Sequence, residues 1–152
     1  MHMAVNVVGI LTNPHYPKTL TLAQQIKDAL QARGIRGVRI TKQETLLAEQ
    51  PLDALITLGG DGTMLRAAHL VAEYGTPILG IHMGRLGFLA EVPAAEWEQS
   101  LDRITARQFW LEERSMLCCR LRREGEKSGP WDALNEVVIG RGGISHVVHL
   151  AT

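Results

Sequence analysis

The stretch ALITLGGDGT at residues 54–63 joins an apolar, strand-like run to the start of a helix-like segment. Three glycines in four positions, Gly59, Gly60 and Gly62, let the backbone turn sharply and approach a bound ligand closely. A helix that begins just after them directs its free N–H groups, and the positive end of its dipole, at an anion such as phosphate. Asp61 would repel that phosphate unless its carboxylate holds a hydroxyl proton or a metal ion. The loop therefore predicts a site where a phosphorylated ligand and a hydroxyl meet.

Apolar runs alternate with helical patterns along the first two thirds of the chain. The predicted strands are Val5–Leu11, Val38–Thr41, Ala54–Leu58 and Ile78–Ile81. The predicted helices are one that Thr19 or Thr21 caps and Gly34 ends, a weak turn at Glu44–Glu49, Thr63–Tyr74 and Ala94–Arg107. Because each strand is apolar throughout, the alternation predicts an α/β fold with an open parallel sheet that helices cover on both faces. Ligands of such sheets bind beyond the carboxyl ends of the strands, where the glycine loop lies.

The pattern changes after about Trp110. Ser115–Arg122 alternates, Glu124–Pro130 resembles a polar turn, Val137–Ile139 is apolar and Ser145–Leu150 continues extended. This rhythm predicts the start of an all-β second domain. We therefore expect an α/β phosphate- or nucleotide-binding domain at residues 1–112 and an incomplete β-rich domain at residues 113–152.

The composition excludes several classes of function. The 152 residues are 45% hydrophobic and 21% charged, which is typical of a soluble protein with a core. Sixteen basic and sixteen acidic residues give no overall field that favours nucleic acid or an anionic membrane, and no apolar run is long enough to span a bilayer. The only cysteines, Cys118 and Cys119, would point to opposite faces of a strand and neither bridge nor share a metal. We expect a cytoplasmic protein without nucleic-acid or membrane partners.

A second glycine-rich stretch, GIHMGRLGFL, occupies residues 80–89 and follows another predicted strand. Its three glycines and Arg85 suit the edge of a phosphate or nucleotide. Phe88 could stack on a base, although a lone phenylalanine among leucines is more often a core residue. His82 is predicted to form hydrogen bonds within the loop rather than to catalyse, and the six histidines show no metal-ligand spacing.

Four polar side chains extend the candidate site. Thr63 can be the helix N-cap, a donor to phosphate, or both. Arg66, in the first turn of the predicted helix, is either a solvated arginine or a phosphate clamp. Asn135 can donate to and accept from a base, and Glu136 can accept from sugar hydroxyls. On a regular strand these two neighbours face opposite ways, so both reach one ligand only where the backbone is irregular; the alternative is an ordinary strand start.

Taken together, three motifs resemble the NAD kinase family in order and spacing. They are GGDGTMLRAA at residues 59–68, the stretch at residues 80–89, and ALNEV at residues 133–137; Asn13-Pro14 near the start fits as well. Diacylglycerol and sphingosine kinases have Asn-Glu directly after the first motif, where this chain has Met64-Leu65. Phosphofructokinases lack the LGFL run of residues 86–89. The resemblance implies a Rossmann-like first domain, a β-rich NAD-binding second domain, and transfer of a phosphoryl group from ATP or polyphosphate to the 2′-hydroxyl of the adenosine ribose of NAD.

The resemblance also implies roles for individual residues. Asp61 matches the proposed general base of the family. The implied substrate- and nucleotide-binding residues are Gly59, Gly60, Gly62, Thr63, Arg66, Phe88, Asn135 and Glu136. Mg²⁺ or another divalent cation would arrive with ATP, and the family assembles into homo-oligomers, for which the apolar residues Val147, Val148 and Leu150 offer a surface. Two alternatives stay open, namely a non-catalytic nucleotide-binding fragment of such an enzyme and a related lipid kinase.

Overall fold

The computed structural model describes residues 5–13, 15–40, 51–84 and 87–138. The chain divides into two compact units, residues 1–113 and residues 114–152. The helical turn predicted at Glu44–Glu49, the extended run at Ser145–Leu150 and the side chain of Arg85 lie outside the described residues.

The first unit is built on a five-stranded parallel sheet in the order β2-β1-β3-β4-β5. Its strands are β1 (Val7–Thr12), β2 (Arg36–Ile40), β3 (Ala54–Gly59), β4 (Ile78–His82) and β5 (Val92–Pro93). Its helices are α1 (Pro17–Ala32), α2 (Asp61–Val71) and α3 (Trp97–Thr105), with single 3₁₀ turns at Ala72–Tyr74 and Ala94–Glu96. After β1, the chain forms β2 on one side of β1 and then crosses over to form β3 on the other side. The strand order therefore reverses between β1 and β3. Ligands of open parallel sheets bind at such a reversal.

Helices cover both faces of this sheet, as the apolar strands predict. On one face, Ile26 and Leu30 of α1 and Leu101 of α3 pack with Ile56 and Leu58 of β3. On the other face, Ala67 and Val71 of α2 pack with Leu55. All six residues of β3 are buried because each face of this central strand has its own hydrophobic layer. The predicted fold class is therefore confirmed.

The helix α1 begins two residues earlier than the predicted cap at Thr19. Tyr16 is the N-cap and Pro17 is the first helical residue, a position for which the fixed φ of proline is suited. The Thr19 side chain is fully buried, and its hydroxyl donates to the carbonyls of Asn13 at 3.0 Å and Tyr16 at 2.7 Å. Thr19 therefore ties the first turn of α1 to the loop that follows β1, and neither Thr19 nor Thr21 caps the helix.

The helix α2 also begins two residues early, at Asp61 rather than Thr63. Gly60, in an extended conformation, is the N-cap, and its carbonyl accepts the Thr63 N–H at 2.9 Å and the Met64 N–H at 3.3 Å. The prediction that Thr63 is the N-cap is therefore wrong. Asp61 becomes the first residue of the helix, where the dipole favours a carboxylate.

The second unit contains an antiparallel hairpin, β6 (Leu117–Arg123) with β7 (Glu126–Ala133). The polar turn predicted at Glu124–Pro130 is wrong, because the turn consists only of Glu124 and Gly125, both with positive φ. Such two-residue turns match the twist of paired strands, and the polar residues after them continue the hairpin. Val137 and Val138 do not form a strand, in contrast to the prediction, and Ile139 lies outside the described residues.

Candidate functional site

A cavity of about 530 Å³ lies at the carboxyl ends of the parallel strands. The loop after β1 contributes Asn13, His15 and Tyr16, and the loop after β4 contributes Met83 and Gly84. The remaining walls come from the end of β3 and from α2, through Gly59, Gly60, Gly62, Thr63 and Arg66. The Asn13 N–H donates to the Leu58 carbonyl at 3.1 Å, which joins the β1 and β3 loops where the strand order reverses. The cavity therefore occupies the place where this fold binds ligands.

The glycines of the first loop have different physical reasons to be glycine. A Cβ at Gly59 would lie 2.2 Å from Oγ1 of Thr63, whereas a Cβ at Gly60 or Gly62 would meet nothing within 4 Å. Gly59 is thus required by close packing against the buried Thr63 side chain. Gly60 and Gly62 instead leave the backbone of the cavity wall open to a ligand.

Thr63 and Arg66 take separate positions on α2. Thr63 is 4% exposed, and its side chain packs beside Gly59. The residue also contributes to the lining of the cavity. Arg66 is exposed and also lines the cavity. Since α2 begins at Asp61, Arg66 lies in the second turn rather than the first, where the unfavourable effect of the dipole on a cation has faded.

Asp61 is next to this cavity but is not among its lining residues, because its carboxylate faces the second glycine stretch. Oδ2 accepts the Phe88 N–H at 2.9 Å, and Oδ1 accepts the Leu89 N–H at 3.0 Å. These backbone hydrogen bonds, from Phe88 first and Leu89 second, lower the pKa of Asp61 below its ordinary value. The side chain is partly exposed, so Asp61 is a stable, accessible carboxylate anion.

The second glycine stretch combines packing residues with one exposed aromatic ring. Gly80 is buried in β4, where a Cβ would lie 2.8 Å from both the Ala90 Cα and the Met64 Sδ, so it is a packing residue. His82 Nδ1 lies 2.9 Å from the Gly84 carbonyl, which confirms its predicted role in hydrogen bonding within the loop. Phe88 is 95% exposed, so it is not a core residue, and its alternative role in stacking on a base stays a prediction.

Asn135 and Glu136 lie in the second unit, directly after β7. The backbone bends at Leu134 and Asn135 and continues without regular structure through Glu136. Both side chains are exposed. The pair therefore does not open a strand, and its backbone has the irregularity that two neighbouring side chains need to face one ligand.

Sequence reasoning missed several members of the site. His15, Tyr16 and Met83 line the cavity, and Gly87 lies against the Asp61 carboxylate. Their position in the sequence could have indicated His15 and Tyr16, because they follow β1 just as the glycine loop follows β3. Loops that follow parallel strands reach the same edge of the sheet. The contact of Gly87 with Asp61 has no such signal, because it depends on how two loops meet.

No group of three or more His, Cys, Asp or Glu side chains is arranged to hold a metal ion within residues 5–13, 15–40, 51–84 and 87–138. In the same part of the chain, no helix has both the length and the apolar character needed to cross a membrane.

Comparison with known proteins finds NAD kinases that are similar to this chain. Residues 39–109 match the family described as "ATP-NAD kinase N-terminal domain". The chain is 42% identical over 151 residues to an NAD kinase of Nitratidesulfovibrio vulgaris strain DP4, a match that covers 96% of this chain and 50% of the relative. It is 37% identical over 145 residues to an NAD kinase of Heliobacterium modesticaldum, covering 89% of this chain and 51% of the relative. The chain thus spans about half the length of the curated relatives it matches.

A solved structure shares the fold. A crystal structure of yeast NADH kinase complexed with NADH superimposes with a TM-score of 0.64 at 21% sequence identity, covering 85% of this chain and 46% of the yeast chain. At this level of identity the match supports the fold alone, and it agrees with the parallel sheet followed by a β hairpin. The resemblance to the NAD kinases that the three motifs indicate is confirmed by the sequence matches.

Proposed function

We propose, from the relationship of this chain to the NAD kinases, that the protein it belongs to phosphorylates the 2′-hydroxyl of the adenosine ribose of NAD. ATP or polyphosphate would supply the phosphoryl group. The observation that carries the proposal is the position of Asp61, a fixed carboxylate between two glycines that line a cavity at the strand-order reversal. That position suits a group that holds a sugar hydroxyl beside a bound phosphate.

The carboxylate of Asp61 has the capacity for this role. Its oxygens accept the N–H groups of Phe88 and Leu89, and the Ala90 N–H adds a weaker interaction. Since a carboxylate offers about four lone-pair sites in total, Asp61 keeps room for a further donor. Since its pKa is lowered, Asp61 is a weak base in the ground state. It would orient the ribose hydroxyl in line with phosphorus and take its proton late, which fits a reaction whose catalysis is mainly positioning and charge stabilisation.

The other site residues would bind the two substrates. Backbone N–H groups in the first turn of α2, together with Thr63 and Arg66, would hold phosphate oxygens. Phe88 would stack on a base through its exposed ring. In the second unit, Asn135 would contact the adenine base and Glu136 the ribose hydroxyls. The first group of residues belongs to the α/β nucleotide-binding domain proposed at residues 1–112. Asn135 and Glu136 belong to the start of the NAD-binding domain proposed at residues 113–152.

The divalent cation is proposed as part of the substrate. The described residues contain no cluster of three side chains that could hold a metal by themselves. Magnesium commonly reaches such sites on the phosphates of ATP and keeps several waters. When bound there, it neutralises charge on the phosphoryl group, while the residues of this chain position the hydroxyl and the phosphates.

The experiment compares two aspartate variants in the full-length protein. Asp61→Asn should lower the rate of NADP formation from NAD and ATP by about 10²-fold or more, because general-base and positioning effects of this kind are worth about 10²–10⁴. NAD binding, measured by calorimetry, should change little. Asp53→Asn is the matched control. Its carboxylate also accepts two backbone N–H groups, from Asn6 and Val7 at 2.8 Å, but near the start of β1 and β3, far from the cavity.

We expect Asp53→Asn to lose stability while keeping its turnover. Equal turnover in Asp61→Asn and the parent enzyme would remove Asp61 from the reaction. Binding of NAD without any NADP formation by the parent protein would favour the non-catalytic alternative, and activity on a lipid alcohol would favour a lipid kinase.

Assembly and location stay predictions. Leu117, Leu121 and Trp131 of the hairpin are each more than half exposed, which supports a homo-oligomer formed through the second unit. The neighbouring thiols Cys118 and Cys119 are both free, which supports a cytoplasmic location. Analytical ultracentrifugation at micromolar concentration tests the first prediction, since a strictly monomeric profile would contradict it.

A further inference from the structure

Gly87 lies directly against the carboxylate of Asp61. A Cβ built on Gly87 would be 2.3 Å from Oδ1, 2.6 Å from Cγ and 2.7 Å from Oδ2 of Asp61, and real Cβ atoms essentially never come within 3.0 Å of a heavy atom of a residue that is distant in the chain. The carboxylate cannot yield cheaply, because the same two oxygens accept the N–H groups of the next residues, Phe88 and Leu89. A side chain at residue 87 would therefore have to break these hydrogen bonds.

The other glycines of the second stretch do not share this contact. Gly84 has open space where a Cβ would be, and Gly80 packs against Ala90 and Met64. Among the described glycines of this stretch, the neighbour of the acid is thus Gly87. The position of the Asp61 carboxylate depends on the loop in two ways. The loop supplies the N–H donors of Phe88 and Leu89, and the lack of a side chain at Gly87 leaves room for the carboxylate.

We propose that Gly87 is a positioning residue for Asp61, because the missing side chain lets the carboxylate bind the backbone at Phe88 and Leu89. The direction of the carboxylate is then set by the second glycine stretch as well as by α2. The Phe88 backbone is held beside the acid, so the exposed ring moves only through its own side-chain torsions. The kinetic part of this inference rests on the proposed function, whereas the structural part does not.

The structural part is tested by NMR on this chain with two matched glycine variants. In Gly87→Ala, the Asp61 carboxyl should titrate at a higher pH than in the parent, towards the ordinary value of about 3.9, and the Phe88 and Leu89 amides should exchange faster. Gly84→Ala adds the same methyl group to the same stretch and should match the parent in both measurements. An unchanged Asp61 titration in Gly87→Ala would overturn the proposal.

A double variant covers the case in which Gly87→Ala does not fold. The three atoms nearest to the added Cβ all belong to the Asp61 carboxylate group. Asp61→Ala removes them, so Asp61→Ala/Gly87→Ala should be as stable in urea as Asp61→Ala alone. If the alanine at residue 87 remains as damaging without the carboxylate, the contact with Asp61 is not the reason for the glycine, and the proposal fails.

The kinetic part is tested in the full-length enzyme. Gly87→Ala should lower kcat by about 10²-fold or more while the KM for NAD stays within a few-fold, since the misplaced group acts mainly in the transition state. Adding Gly87→Ala to Asp61→Asn should cost little further, because both changes remove one function. Full additivity would overturn this part. An absence of NAD kinase activity in the parent would refute the proposed function and leave the NMR result to decide the positioning role.

Discussion

The packing of Gly59 against Thr63 leads to a prediction about stability that does not depend on any activity. An alanine at residue 59 would place its Cβ 2.2 Å from Oγ1 and 2.9 Å from Cβ of Thr63. Thr63 is 4% exposed and belongs to the first turn of α2, so the helix holds its backbone, and its side chain could turn away only towards the cavity that the residue lines. Overpacking of a tight site costs about 1–3 kcal/mol, and we expect Gly59→Ala to lower the free energy of unfolding by that amount.

Gly60→Ala is the matched control, one residue further along the same loop. A Cβ at Gly60 meets nothing within 4 Å, and its φ of −117° and ψ of −164° are open to alanine. Replacing a glycine in such a conformation stabilises by about 0.4–1 kcal/mol through the unfolded state, but Gly60 is also the N-cap of α2, where alanine is less favourable than glycine by a similar amount. Gly60→Ala should therefore change stability much less than Gly59→Ala.

Urea denaturation of this chain, followed by circular dichroism, measures both changes. For a protein of this size a loss of 1 kcal/mol lowers Tm by about 2–4 °C, so Gly59→Ala should melt roughly 2–12 °C below the parent. Thr63→Ala removes the atom of closest contact, so the double variant Gly59→Ala/Thr63→Ala should be less destabilised than the sum of the single variants. Equal stability of Gly59→Ala and Gly60→Ala, or strict additivity with Thr63→Ala, would refute the packing argument.

Four further predictions follow from other residues. Because the pKa of Asp61 is lowered in the folded protein, its carboxylate adds stability above the ordinary pKa and loses this contribution as the pH falls through the lowered pKa. Amide protection at the second glycine stretch should therefore persist down to about pH 4. Loss of this protection near neutral pH would contradict the prediction. Phe88→Ala should leave Tm unchanged but raise the KM for NAD by about 5- to 150-fold, as expected for base stacking worth about 1–3 kcal/mol, and an unchanged KM would remove the ring from the site. Leu101→Ala, in the core between α3 and the sheet, should cost about 2–5 kcal/mol in urea unfolding. Gly125→Ala, at a φ of +90°, should speed amide exchange across the hairpin, whereas Glu124→Gly should not.

The sheet could be predicted from the sequence because burial on both faces leaves a direct mark. Each of the strands β1, β3 and β4 is a short apolar run, and the helix that covers them shows its apolar stripe at Leu22 and Ile26. Helix starts were less predictable. At α2 the N-cap is Gly60, whose backbone carbonyl accepts hydrogen bonds from N–H groups of the first turn. Glycine has no side chain, so the sequence carries no capping pattern there.

The hairpin was misread for a physical reason. Glu126–Ala133 is exposed along nearly its whole length, so it lacks the alternation of apolar and polar residues that marks a half-buried strand. Polar residues then resemble a long turn. What reveals the real turn is Gly125 alone, the glycine that a tight two-residue connection requires.

The residue types indicate a chemistry for the site, which stays a prediction, but they do not indicate its geometry. GGDGT indicates phosphate and hydroxyl from the residues themselves. The direction of the Asp61 carboxylate depends on Phe88 and Leu89, 27 and 28 residues further along the chain, which lie beside it because β4 pairs with β3 in the sheet. No local pattern carries that information, because the partners are backbone amides that every sequence possesses.

The cavity wall made by Gly59, Gly60 and Gly62 presents almost only peptide groups to a small molecule that binds there. An inhibitor aimed at this wall would have to satisfy main-chain donors and acceptors, which any protein with the same loop presents in the same way. Discrimination between related enzymes would have to come from the rim, where His15, Tyr16 and Arg66 give a compound side chains to distinguish. Selective chemistry would therefore begin at the mouth of the cleft and extend inward.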